Sequence, residues 1–374
     1  MKKIAIMLAG GSGERFWPVS RLAKPKQLIP LNSEKTLIEE AVERVSTFIN
    51  VEDIYVFTSQ IIFDTIREVL NFLPKENIVP EPMKRNTAPA LAYATSYILA
   101  KYGGKYFSSE ILVGVFTSDQ RIEPIGAFQK TVEIAFDYVA VHPKIATIGI
   151  VPSRPETAFG YIEVSNESVH PDNLVFDVKA FKEKPDLTTA QHYVESGNYF
   201  WNSGMFFWRL DTFLNESRKY IPEIYFKIEP LRKLFLEIGF ESLKTKLPEI
   251  ESIYKTFPDI SIDYALMEKT SNIVVVKSLF DWDDIGSWDA LDRTKQHDQQ
   301  QNVNIGNNIL IDTRNSIIYN GSTSYGVKVC VVGMDNTVVV VTDDAILVCA
   351  KDQVQKVKKC IEELKKEPNN SKYL

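Results

Sequence analysis

The feature that most constrains this chain is the alternation, over its first 150 residues, of short apolar runs with amphipathic stretches. Residues 4–8 carry no polar side chain, as expected of a strand covered on both faces. A helix signal follows: Thr36-Leu37-Ile38-Glu39 has the form of a capping box, and Leu37, Ala41, Val45 and Phe48 share one face. Residues 54–57 read as a second strand, 61–70 as a helix, and 78–79 as a short strand ending at Pro80. Residues 87–100 form an Ala-rich helix that tolerates Pro89 in its first turn. A strand over 111–116, a helix over 124–139 and a strand over 145–150 complete the series. Repeated strand–helix units predict a parallel sheet with helices on both faces.

Beyond residue 150 the alternation loosens. Strands are expected over 161–164, 175–181, 205–208 and 273–276, with mainly helical chain over 211–247. Trp201, Phe206, Phe207 and Trp208 run through a predicted strand and read as core rather than as a stacking platform. The polar run His297-Asp298-Gln299-Gln300-Gln301-Asn302 is a linker candidate. Short β-runs over 309–311, 329–332, 338–341 and 346–348 follow it, then a helix with Val354, Val357, Ile361 and Leu364 on one face. This divides the chain into a domain over 1–298 and a β-rich domain over 303–366, with residues 367–374 expected to fray. A length of 374 residues suits two or three packed units.

Composition excludes several classes. Lys and Arg total 43 against 49 Asp and Glu, a net charge of −6, so the chain lacks the basic balance of a nucleic-acid or membrane-surface protein. No apolar stretch nears the roughly 20 residues that span a bilayer. Lys2-Lys3 precedes an apolar run that ends at Gly10, too short for a signal peptide. Cys330, Cys349 and Cys360 have neither zinc-ligand spacing nor the even number of a disulfide framework. A cytoplasmic protein with idle thiols is expected.

The chemistry concentrates in one loop. Leu8-Ala9-Gly10-Gly11-Ser12-Gly13-Glu14-Arg15 follows the first strand, and its glycines let backbone N–H groups converge on an anion. No Gly-Lys-Ser/Thr closes it as a Walker A loop would, and Phe16 stands where a dinucleotide fingerprint needs its third glycine. Between Glu14 and Gln27 lie Arg15, Arg21, Lys24 and Lys26, on chain stiffened by Pro18 and Pro25. Donors and cations fused in one run suit a nucleoside triphosphate.

That segment, Leu8 to Pro18 with Ser20-Arg21 and Pro25-Lys26-Gln27, resembles the signature of the sugar-nucleotide pyrophosphorylases, most closely their GDP-mannose-forming branch. The resemblance continues in order through Glu81-Pro82-Met83-Lys84-Arg85-Asn86-Thr87-Ala88-Pro89-Ala90, Phe159-Gly160-Tyr161-Ile162-Glu163 and Phe181-Lys182-Glu183-Lys184-Pro185. Trp201-Asn202-Ser203-Gly204-Met205, Ser261-Ile262-Asp263-Tyr264-Ala265 and Asp283-Asp284-Ile285-Gly286-Ser287-Trp288 complete it. The implied fold is α/β, a nucleotide-diphospho-sugar transferase with a Rossmann-like mixed sheet, plus a C-terminal β unit resembling a short left-handed β-helix. The implied reaction joins GTP and mannose 1-phosphate into GDP-mannose and pyrophosphate. A homodimer is implied too, and the cupin-like isomerase domain of longer relatives is expected to be absent.

The resemblance places Leu8, Ala9, Gly10, Gly11, Ser12 and Gly13 around the nucleotide, and Arg15 and Lys26 on the triphosphate as the catalytic cations. Asp119 follows the fourth strand, where parallel sheets bind ligands, and Asp284 lies in an acidic turn. Together they suit one Mg²⁺, which takes carboxylates with phosphate and water oxygens. Helix capping and turn chemistry are the competing roles, and Asp283 competes with Asp284. Glu81 suits guanine, whose N1–H and N2–H₂ a carboxylate accepts together. Arg85, Asn86 and Thr87 lie beside it, the latter two also placed to cap the Ala-rich helix. On the sugar side, Gly160 belongs to the matched block, Glu163 and Asn202 suit hydroxyls, and Lys184 suits the phosphate. Thr117 and Gln120 depart from the proline and histidine common in the family. His142, His170, His192 and His297 fall outside every motif, which fits a nucleophile that is already an oxyanion.

Three other readings compete: a guanylyltransferase for a heptose or another hexose 1-phosphate, a sugar-nucleotide-sensing homologue without activity, and an NAD-dependent dehydrogenase. The intact set Arg15, Lys26, Asp119 and Asp284 opposes the second, and the cation-rich loop opposes the third.

Overall fold

The structure, a computed structural model, describes every residue except 12, 241, 242, 324 and 325. The chain forms two compact units, each drawn from separated segments. Residues 1–10, 42–117 and 122–282 make the first; residues 11–41, 118–121 and 283–374 make the second.

The first four strands are β1 (Lys2–Ala9), β2 (Ile54–Ser59), β3 (Ile78–Glu81) and β4 (Ile111–Thr117). After the short β5 (Arg121–Glu123) come β6 (Ile145–Ile150), β7 (Gly160–Ser168), β8 (Val175–Glu183), β9 (Tyr199–Arg209) and β10 (Ile273–Lys277). Nine of these form one sheet in the order β3-β2-β1-β4-β9-β6-β10-β8-β7. The neighbours within β3-β2-β1-β4 are parallel, as the strand–helix alternation predicts, and so are β6 and β10. Strand β9 departs from the parallel pattern: it lies antiparallel between β4 and β6, with Val113 opposite Trp208 and Thr147 opposite Phe206. Its side chains explain its central place. Trp201, Phe206, Phe207 and Trp208 are all buried, so this strand is covered on both faces as the predicted core strand should be.

The Ala-rich helix spans Thr87–Tyr102 and buries Tyr93 and Tyr97 against Phe57 and Phe235. Small side chains on its remaining faces let neighbouring elements pack closely all round it, which is why so little of it meets water.

The second unit carries a stack of short strands beyond the three-residue β11 (Asp281–Asp283): β12 (Val303–Ile305), β13 (Asn308–Ile311), β14 (Ile317–Asn320), β15 (Val329–Val332), β16 (Thr337–Val341) and β17 (Ile346–Ala350). Strands β12, β14 and β16 pair in parallel, as do β13 and β15, and β17 closes the first of these sheets antiparallel. Parallel rungs a few residues long, with left-handed corners at Asp312, Asn315 and Asn336, make a β-helix. Its inward residues Ile317, Val338, Val340 and Leu347 share one apolar cluster with Phe16, Trp17, Ile285 and Trp288. Val357 and Ile361 of the C-terminal helix (Val357–Leu364) and Val354 of the 3-10 turns before it join that cluster, as their spacing predicts.

The expected fraying does not occur. Trp17 Nε1 donates to the Tyr373 carbonyl at 2.9 Å, and Leu22 N donates to that of Leu374 at 3.1 Å, which ties the last residues down. The three thiols are free, with Cys330 and Cys360 exposed. Among the described residues no helix is long and apolar enough to cross a membrane.

Candidate functional site

In the second unit the glycine loop packs on Lys26. Gly13 has φ +58, and a β-carbon there would lie 2.4 Å from Lys26 Cβ and 2.6 Å from Lys26 N, so only glycine fits. Ser20 Oγ donates to the Gly13 carbonyl at 2.8 Å, and Gln27 Nε2 to that of Gly11 at 3.2 Å, which fixes the loop at both ends. Ser12 lies outside the described residues.

Lys26 is 6% exposed, an unusual place for a lysine unless it is paired. Its ammonium meets Asp119 Oδ2 at 3.0 Å and donates to the Asp284 carbonyl at 2.5 Å. The three residues expected to serve the phosphates and a cation are therefore brought together. Arg15 has no ion-pair partner among the described residues. The other loop cations go elsewhere: Arg21 pairs with Asp344 at 3.0 Å and lies over the Trp17 ring, while Lys24 is exposed.

The structure separates the two neighbouring acids. Asp283 is buried and fully engaged: Arg293 holds its Oδ2 at 2.7 Å and its Oδ1 at 3.2 Å, and Oδ1 also accepts from Ile285 N. Asp284 faces no such fork. Burial pushes its carboxyl up to about 6, with Asp283 and Asp119 adding to the rise and Lys26 and Arg293 opposing it. Asp119 and Asp284 offer carboxylate oxygens, the donor type a hard divalent cation takes. Among the described residues no cluster of three or more ligating side chains exists, so phosphate and water oxygens would have to complete any such shell.

In the first unit, β1 leads Leu8 and Ala9 to Gly10, and Thr58 Oγ1 donates to the Ala9 carbonyl at 3.1 Å. A β-carbon on Gly10 would stand 3.6 Å from Glu81 Oε1, so the carboxylate at the end of β3 borders the start of the loop. Its other oxygen accepts from Tyr254 at 2.8 Å. Burial pushes Glu81 up to about 7, against the lowering effect of that hydrogen bond. Arg85 donates to the Lys255 carbonyl at 3.1 Å, and its buried Nε has no partner among the described residues. Asn86 caps the Ala-rich helix by accepting from Thr87 N, and Thr87 Oγ1 accepts from Ile262 N, so both take up the capping and bracing roles open to them.

The sugar-side residues gather on adjacent strands of that unit. Gly160 opens β7 opposite Glu183, and Glu163 lies opposite Tyr199 on β9. Lys184 follows β8, largely exposed, with Nζ 3.0 Å from Glu183 Oε1. Asn202 is more heavily committed than its sequence suggests. Its Oδ1 accepts from Gly204 N and Thr147, and its Nδ2 donates to Asp263 at 2.8 Å, which leaves one amide proton. Asp263 is held above the usual carboxylate range by burial and then by Glu183. Of the two departures from the family pattern, Thr117 keeps a buried hydroxyl with no partner among the described residues, and Gln120 is buried.

Tyr254, Asp263 and Arg293 escaped the sequence reading as site residues. Asp263 lay within a matched block and was there to be found, whereas Tyr254 is 173 residues from Glu81 and carries no local signal.

Residues 4–301 match the family described as nucleotidyl transferase, and residues 306–364 match the mannose-phosphate isomerase/GMP-like β-helix domain. The chain is 38% identical over 371 residues to mannose-1-phosphate guanylyltransferase of Escherichia coli, covering 97% of this chain and 74% of that protein. It is 36% identical over 362 residues to the alginate biosynthesis protein AlgA of Pseudomonas fluorescens, covering 96% and 71%. A crystal structure from Thermus thermophilus, described as a mannose-1-phosphate geranyltransferase, superposes with a TM-score of 0.82. That pair shares 28% identity, over 98% of this chain and all of the other.

Proposed function

This chain belongs to the nucleotidyl transferase family, with a C-terminal β-helix domain, and from that premise we propose that it transfers GMP from GTP to mannose 1-phosphate. The products are GDP-mannose and pyrophosphate. A phosphate oxygen of mannose 1-phosphate attacks the α-phosphorus of GTP, a new P–O bond forms, and the bond to the β-phosphate oxygen breaks in line with it. The nucleophile is an oxyanion, so no general base is needed and catalysis reduces to alignment and charge neutralisation.

The observation that carries this reading is the buried Lys26 held between Asp119 and the Asp284 carbonyl. A desolvated, preorganised ammonium stabilises negative charge building on the α-phosphate far better than a solvated one. Arg15, with no ion-pair partner among the described residues, takes the outer phosphates. Asp119 and Asp284 would hold one Mg²⁺, whose charge would offset that of the triphosphate when bound. Glu81 accepts from the guanine N1–H and N2–H₂ through the face that borders Gly10. Lys184 takes the sugar phosphate, Glu163 accepts from sugar hydroxyls, and Asn202 offers them its one remaining amide proton. In this reading residues 1–298 are the catalytic stretch and 303–366 the β-rich one.

Pyrophosphate release with Mg²⁺, GTP and mannose 1-phosphate tests the proposal, run beside ATP, UTP and other sugar 1-phosphates. The expected result is turnover selective for the first pair, with Lys26→Ala lowering kcat by about 10³-fold or more. Turnover with GTP and a different sugar 1-phosphate would move the substrate and keep the mechanism. Full activity in Lys26→Ala would overturn the catalytic assignment.

A further inference from the structure

The turn that carries Asp284 is held by residues outside the reaction just described. Ile285 has φ +44, a left-handed conformation that a β-branched residue adopts only where its surroundings impose it. Two restraints do so. Its side chain is completely buried in the apolar cluster with Trp288, Val354 and Val357, and its N–H donates to Asp283 Oδ1 at 2.8 Å. Asp283 is itself clamped by the two-toothed contact of Arg293, Nε to Oδ2 at 2.7 Å and Nη2 to Oδ1 at 3.2 Å.

The remaining Arg293 nitrogen, Nη1, reaches Asp289 Oδ2 at 3.0 Å. Asp289 also accepts from Ser287, whose hydroxyl accepts in turn from Gln355 Nε2 at 2.9 Å. A planar guanidinium thus fixes two acids at once, and the chain of contacts ends on the helical turns that follow the β-stack. Asp284 lies inside this frame. Its carboxylate folds over Gly286, where a β-carbon would meet Oδ2 at 2.5 Å, while its carbonyl receives Lys26. A flip of Ile285 out of the left-handed region would rotate both groups.

We propose that Arg293 is a positioning residue for Asp284: by fixing Asp283 it holds Ile285 left-handed and aims the Asp284 carboxylate at a divalent cation. The inference rests on the reading of Asp284 as a metal-side carboxylate, and it assigns to the Asp283–Arg293 pair an orienting role that neither residue performs by touching substrate. Outer partners of metal carboxylates commonly change metal affinity by about 10–100-fold.

The test is Mn²⁺ affinity of the GTP-bound protein, measured by electron paramagnetic resonance without the sugar phosphate, beside GTP affinity without metal and thermal melting. Arg293→Gln and Arg293→Lys are both expected to weaken Mn²⁺ by about tenfold while metal-free GTP affinity stays within about twofold. Lysine keeps the charge and loses the fork, so it should not rescue. Adding Asp283→Asn to Arg293→Gln should cost nothing further, because the two act as one unit. Wild-type Mn²⁺ affinity in either Arg293 variant would overturn the proposal, as would rescue by lysine or an additive double variant. Asp284→Asn separates the premise: if it binds Mn²⁺ like the wild type, the metal reading itself fails whatever Arg293 does.

Discussion

The Lys26 cluster of the second unit and the Glu81 environment of the first both bury charge, and they balance it in opposite ways. Around Lys26 the ammonium pairs with the Asp119 carboxylate and donates to the Asp284 carbonyl, so its charge is balanced before any ligand arrives. Among the described residues Glu81 has no ion-pair partner, with a tyrosine hydroxyl on one oxygen, and burial carries its carboxyl up to about 7. Under the proposed function, the site that grips a triphosphate keeps a permanent, paired charge, and the one that reads a neutral base uses a carboxylate whose ionised form is completed by the donors of the base.

The comparison breaks most severely at Lys26. Its removal leaves Asp119 and Asp284 without their shared cation, so beyond the loss of about 10³-fold in kcat, the residual activity should change its pH dependence. Lys26 lowers the Asp284 carboxyl from the level burial sets, so Lys26→Ala should move the rising limb of the rate to higher pH. In the wild-type protein that limb is expected near pH 6, with Asp284 protonated below it and ionised above. Raising Mg²⁺ should shift it downward, because cation binding releases the proton. A limb that ignores both Mg²⁺ and Lys26 would remove Asp284 from the reaction.

Gly13→Ala attacks the same cluster without touching a charge. The new methyl group would overlap the Lys26 backbone, and the left-handed φ adds strain, so the loop must shift. A displacement of about 1 Å at such a site costs on the order of 10²-fold, and kcat should fall by that much with little change in the melting temperature. Retained activity would show that the loop tolerates a moved lysine.

On the other side of the comparison, Glu81→Gln replaces two acceptors with one acceptor and one donor. The kcat/KM for GTP should drop about 10–100-fold, with a smaller drop for inosine triphosphate, which lacks the exocyclic amine. The wild-type KM for GTP should fall as pH rises through about 7, and the variant should lose that dependence. Stability follows with a definite sign. The folded carboxyl titrates near 7 against an ordinary 4.5, so the native state holds the extra proton between those values and is destabilised as pH rises across them. Glu81→Gln should therefore melt higher than the wild type above pH 7 and lose that advantage toward pH 4.5.

What the sequence makes legible divides along similar lines. Local periodicity is enough to locate β1 to β4 and the Ala-rich helix, because their burial pattern is written in consecutive residues. The glycines, Lys26 and the acids at 283–284 are legible as chemistry for the same reason. The place of β9 between β4 and β6 is not, since antiparallel pairing there depends on which strands, far apart in the sequence, meet in the sheet. The roles of Arg21 and Asp283 are equally hidden. Arg21 looks like one more phosphate ligand until Asp344, 323 residues away, claims it, and Asp283 looks interchangeable with Asp284 until Arg293 clamps it. Charges advertise themselves in sequence, and their partners do not.

Tyr254→Phe makes the finest cut. It removes the Tyr254 hydrogen bond to Glu81 Oε2 and leaves size and packing almost unchanged, so the rings of Tyr93 and Phe257 should stay in contact with it. That bond favours the ionised carboxyl, and without it the Glu81 carboxyl must rise above about 7. The pH at which KM for GTP improves should move upward by the same amount, while kcat at saturating GTP and high pH stays at the wild-type level. The cost in stability should be about 1–3 kcal/mol at a pH where Glu81 is ionised, the penalty of a buried acceptor without its donor, and smaller where the carboxyl is protonated. A KM profile that does not move would mean that Glu81 never meets the base. A lowered kcat with an unmoved profile would place Tyr254 in the chemistry itself, and the contrast between a charge-paired phosphate loop and a burial-tuned base reader would then fail on its second half.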